Sequence, residues 1–141
     1  LNVSEWNSTY TFSKVSLQYF YNQKFSASSE FTINKLDNEK LQNGGYISDN
    51  LSYFGVDFNA RYNTASYLKL PSKFCVEPVL GVGFSWTDRS PNQSLNTGLA
   101  LGYQFNNVYA LRLQTLGKFA AEKNVTGNNM IQHSLELLIN L

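Results

Sequence analysis

Seven charged side chains in this 141-residue chain have the types and spacing to do chemistry together. Four are carboxylates, Glu30, Asp57, Glu77 and Glu136, and three are cations, Arg61, Arg112 and Lys118. Paired carboxylates are the groups of acid–base catalysis, and Glu30, Glu77 and Glu136 could be cast in that role. Set against arginines, the same carboxylates form structural salt bridges, and that is the preferred reading. His133 is the only histidine, so neither a histidine metal cluster nor a nucleophilic triad can be assembled. Cys75 is the only cysteine; it excludes an internal disulfide and reads as a small apolar residue. GGY at 44–46 and GVG at 81–83 lead into no helix, so neither is a phosphate loop. The expectation is a protein that is not an enzyme, with no cofactor and no metal.

What must position these charges is a set of strands. Seven segments alternate apolar and polar residues with a period of two: Lys14 to Tyr21, Phe25 to Leu36, Leu51 to Tyr62, Cys75 to Trp86, Ser94 to Phe105, Tyr109 to Phe119 and Met130 to Leu141. All seven charged residues fall on the polar faces, and only Lys35 stands on an apolar one. The segments run to roughly 8–12 residues, near the 9–11 that a tilted membrane strand requires. Asn22-Gln23-Lys24 and Asn106-Asn107-Val108 make tight turns. The links 37–50, 87–94 and 120–129 are longer and polar, as outside loops of a membrane barrel are. The 63–74 link is long where the alternation asks for a short turn.

The apolar faces point either into a core or out into lipid. Charged residues are 15% of the chain, against roughly 25% in soluble domains. Net charge is +1 with no basic run, which gives no sign of a nucleic-acid surface. Mean hydropathy is −0.29, and no apolar run reaches the roughly 20 residues of a membrane helix. The polar faces carry Gly55, Gly81, Gly83, Gly98, Gly102, Ala100, Ser26 and Ser28, which suit a narrow barrel interior better than a solvated surface. Charges of both signs in such a lumen must pair, and four against three is near balance. Aromatics sort into two bands on the apolar face: Tyr21, Phe25, Tyr62, Tyr103, Phe105 and Tyr109 at one set of strand ends, Phe84, Trp86 and Phe119 at the other. Two such bands are the girdles of a membrane barrel. The competing readings are a lipocalin-like soluble ligand-binding barrel, and a membrane-barrel enzyme or narrow pore.

The stretches EFTINKL, GVDFNARYN, EPVLGVGFSWTD, LNTGLALGYQF and QHSLELLINL, in that order, resemble the eight-stranded barrel domain of OmpA-like outer-membrane proteins of gram-negative bacteria, over roughly residues 14–141. The resemblance implies an all-β, antiparallel up-and-down transmembrane barrel in the bacterial outer membrane, with a closed lumen and a structural or scaffolding role. Its surroundings would be outer-membrane lipid and lipopolysaccharide, and its partners other outer-membrane proteins in a larger complex. Peptidoglycan contact would require a domain after Leu141, where this chain also lacks the usual terminal aromatic. Residues 1–141 read as one domain, with 1–13 an outer loop or remnant of a first strand. An even strand count implies an eighth strand, either short within Leu1–Trp6 or upstream of Leu1, the second being preferred.

Overall fold

The computed structural model describes residues 13–36, 41–42, 45–46, 51–87, 90–121 and 129–139. They form strands throughout: β1 (Lys14–Phe20), β2 (Phe25–Leu36), β3 (Leu41–Gln42), β4 (Gly45–Tyr46), β5 (Leu51–Tyr62), β6 (Phe74–Thr87), β7 (Ser90–Gln104), β8 (Tyr109–Ala120) and β9 (Met130–Ile139). Seven of them make one antiparallel sheet in the order β1-β2-β5-β6-β7-β8-β9, curled into a half-barrel. β3 and β4 pair only with each other, a small hairpin within the 37–50 link. Among the described residues no helix is long and apolar enough to cross a membrane, which says nothing about strands.

Each neighbour follows its predecessor in the chain, so every connection is a hairpin and the apolar and polar faces stay in register around the sheet. The two tight turns are chemically the same. Asn22 Oδ1 accepts from the backbone N–H groups of Lys24 and Phe25, both at 2.8 Å. Asn106 Oδ1 accepts from those of Val108 and Tyr109, at 2.9 and 2.8 Å. An asparagine bonding its own chain two and three residues on is a turn former by local chemistry. The 63–74 link is also ordered. Tyr67 and Leu68 donate to the Thr64 carbonyl in a single helical turn, and Thr64 donates from both its N–H and its hydroxyl to Val76.

One sequence-based expectation needs correction. The 87–94 segment is not a long outside loop: Thr87 pairs with Ser90, so only residues 88–89 separate β6 from β7. Pro91, Asn92 and Gln93 continue the alternation with polar or ring side chains, which hides the strand from an apolar-periodicity reading. Pro78 lies inside β6, a strand with partners on both sides, where proline normally weakens the ladder. Here the β5–β6 ladder ends at the Arg61–Val79 pair, one residue short of it, and Pro78 is paired only toward β7. The expected outer loop or strand remnant at 1–13 (Ser13 excepted), most of 37–50 and 120–129, and Asn140 and Leu141 lie outside the described residues.

Burial runs opposite to that of a soluble domain. Only four hydrophobic residues are buried, against thirteen polar or charged ones, while thirty large hydrophobics are exposed among the described residues. Leu17, Ile33, Ile131 and Leu135 are each about 70% exposed, whereas Glu30, Asp57, Arg61 and Arg112 are 0–1% exposed. The concave face is polar and buried, and the convex face is a continuous apolar surface. No ladder joins the edge strands β1 and β9. Side chains nevertheless meet inside: Lys14 Nζ of β1 donates to Glu136 of β9 at 2.9 Å, and Arg112 of β8 to Gln18 of β1 at 2.6 Å.

Candidate functional site

Strand alternation sends all seven charged residues singled out above to the concave face, where they separate into two clusters. The larger is centred on Arg61 of β5 and Arg112 of β8. Arg61 forms an ion pair with Glu30 of β2, donates to Gln114 Oε1 at 2.5 Å and to Ser28 Oγ at 3.2 Å. Glu30 also receives Lys14 Nζ at 2.5 Å and Gln114 Nε2 at 3.2 Å. Arg112 donates Nε and Nη2 to one oxygen of Glu136, at 2.8 and 2.6 Å, and Lys14 takes the other oxygen. Glu77 stands between the two guanidinium groups, 3.6 Å from Arg112 and 4.0 Å from Arg61. Those distances are ion pairs without hydrogen bonds.

The smaller cluster lies toward the other end of the strands. Lys118 Nζ of β8 donates to Asp57 Oδ2 of β5 at 2.6 Å, and Asn96 of β7 donates to Asp57 Oδ1 at 2.9 Å. The Tyr53 hydroxyl completes the site, 3.4 Å from the same ammonium. Two glycines make the space. A Cβ on Gly83 would strike Asp57 and come within 2.7 Å of Ser94 Oγ, and one on Gly55 would meet the Tyr53 hydroxyl at 2.9 Å. Glycine inside a strand usually marks such a close approach.

Lys14 belongs to the same set, although the sequence reading left it out. It opens β1 at the strand's first position, and its side chain is only 8% exposed between Glu30 and Glu136. With it, the interior holds four cations and four carboxylates. Gln18, Asn96 and Gln114 were likewise missed. The available signal was their parity, shared with the charges and unremarkable for neutral side chains.

The aromatic residues of the two bands take the convex face. Tyr21, Phe25, Tyr62, Tyr103, Phe105 and Tyr109 stand at the end bearing the Asn22 and Asn106 turns, hereafter the turn rim. Phe25 stacks obliquely on Tyr62 with ring centres 4.7 Å apart, and Tyr103 sits between Phe74 at 4.9 Å and Phe105 at 5.2 Å. Trp86 and Phe119 lie at the far ends of β6 and β8, Trp86 against Phe54 at 5.5 Å. Beyond the strand ends, a hydrogen bond shared with Tyr62 and then the Lys24 ammonium hold the Tyr67 phenol below its ordinary range.

His133 is on the convex face, sharing a hydrogen bond with Thr115 at 3.0 Å. Cys75 faces inward and fills the space left by Gly102. A hollow of about 690 Å³ lies on the apolar convex side, with Leu17, Tyr19, Ala27, Phe58, Ala60 and Leu80 among its lining residues. Among the described residues no three His, Cys, Asp or Glu side chains come together as a metal site. Chemically, the arrangement can do one thing well: each carboxylate faces at least one cation, so the interior is electrically self-contained. No family model, curated protein or solved structure matches this chain.

Proposed function

We propose that this chain is a structural β-barrel of the bacterial outer membrane, non-enzymatic, with a lumen closed by its own salt bridges. The observation that carries this reading is the inverted burial: thirteen buried polar residues inside and thirty exposed large hydrophobics outside. Monomeric soluble proteins rarely leave apolar patches beyond a few hundred Å² open to water, and here the apolar surface runs across all seven strands. Lipid is the solvent that suits such a surface. A lipocalin-like ligand barrel needs apolar side chains directed inward, and the described interior is polar. The OmpA-like resemblance points the same way and supplies the scaffolding role, alone or as an accessory subunit among other outer-membrane proteins.

Closure needs an eighth strand. Six antiparallel pairings leave β1 and β9 running in the same direction, so one further strand can lie antiparallel to both. In hydrocarbon each unpaired backbone group costs several kcal/mol, which gives the seam a strong reason to close. The test is refolding from urea into detergent micelles and lipid vesicles. A membrane barrel floats with the vesicles, resists protease and migrates differently on gels before and after boiling. A monomer that stays soluble and folded without detergent or lipid overturns the reading. Planar-bilayer recordings should show no steady conductance through the closed lumen.

A further inference from the structure

The chain's charges divide by height. Of 11 Lys and Arg and 10 Asp and Glu residues, four of each sign face the interior. Three lysines and no carboxylate stand on the turn rim: Lys24 in the β1–β2 turn, and Lys69 and Lys73 in the 63–73 link. Among the described residues the interior is thus neutral and the turn rim carries +3.

The three lysines are held by structure. Asn63 N–H donates to the Lys24 carbonyl at 2.7 Å, and Gln104 N–H to the Lys73 carbonyl at 2.7 Å, fixing both to the rim. The Lys24 ammonium stands 5.4 Å over the Tyr67 ring. Lys69 caps the single helical turn with φ of 51°, and Leu70 N–H reaches back to the Ala65 carbonyl at 3.1 Å. That capping position is usually glycine, and a side chain there is held in a costly conformation. Beside these cations the same turn exposes Tyr67 at 65% and Leu68 at 54%, with no core to cover them. Amphipathic aromatics, an exposed leucine and lysines at one height form the pattern of a membrane interface.

We infer that the turn rim, through Lys24, Lys69 and Lys73 beside Tyr67 and Leu68, is a binding surface for the headgroups of anionic phospholipids. Resting on the membrane-barrel reading, this also gives the barrel a direction: the rim faces the leaflet rich in phospholipid phosphate. Each lysine near an anionic surface contributes about 1 kcal/mol, so the three together favour anionic over neutral lipid roughly a hundredfold.

The experiment compares partition of the full chain into vesicles of phosphatidylcholine and of phosphatidylglycerol. Wild type should prefer phosphatidylglycerol by roughly a hundredfold, and about 1 M salt, where the Debye length is about 3 Å, should abolish the preference. The K24Q/K69Q/K73Q variant should insert equally into both lipids, with an unchanged β-sheet circular dichroism spectrum. Equal wild-type partition, or a full preference surviving in the triple variant, overturns the inference while leaving the barrel intact. Insertion into neither lipid overturns the barrel reading and this inference with it.

Discussion

The two charge clusters of the interior are each neutral, yet they are built on opposite plans. Around Arg61 and Arg112, three cations and three carboxylates share partners, so Glu30 and Glu136 each meet two cations. At the other end Asp57 and Lys118 have only each other as ionic partners, with Asn96 and Tyr53 supplying neutral bonds. Redundancy protects the first cluster against losing any one member. The second is a single point of failure, because a buried charge stripped of its partner is far more costly than a missing pair.

Breaking the second cluster should therefore have the largest effect. Lys118→Met strands the Asp57 carboxylate and should destabilise the folded barrel by about 3–5 kcal/mol, read from urea unfolding in detergent or bilayer. Arg61→Met removes one of Glu30's two cations and leaves Lys14 in place. Its cost should be about 1–3 kcal/mol, the penalty of the polar groups left unsatisfied. A sharper comparison comes from Asp57→Asn in the Lys118→Met background, which removes both charges. It should recover most of the single variant's loss, to within about 1–2 kcal/mol of wild type. Glu77→Gln should be the mildest, at about 1 kcal/mol or less, since its oxygens stand 3.6 and 4.0 Å from the guanidinium groups and make no hydrogen bond to either. Should Arg61→Met cost more than Lys118→Met, the redundancy explanation fails.

Much of this arrangement was legible from the amino-acid order, and the rest was not for identifiable reasons. A period of two assigns a face to each residue, and the seven charged residues needed nothing else to be placed together. Partners are another matter. Lys14 meets Glu136 across 122 residues because the sheet curls, and curvature leaves no local mark in the order of residues. Lys14 also sits at a strand's first position, where alternation has one neighbour instead of two. The short β6–β7 connection was obscured because Pro91 and Gln93 stand where the pattern expects apolar side chains. Neutral polar residues such as Gln114 escaped because the search began from charge, although their bonds fill the gaps between the ions.

The paired asparagine turns reach further than chain reversal. Tyr21 N–H bonds the Phe25 carbonyl, and Phe105 N–H bonds the Tyr109 carbonyl, both at 3.0 Å. The Asn22 and Asn106 side chains therefore fix, within each hairpin, which aromatic residue stands level with which. The lower edge of the apolar band is drawn by turn geometry, and the rings inherit their height from it. Under the proposed membrane setting, depth in the bilayer is then a property of where two asparagines occur in the chain. One residue inserted into either turn would swing the following strand's aromatics toward the ion clusters and its charges toward the hydrocarbon.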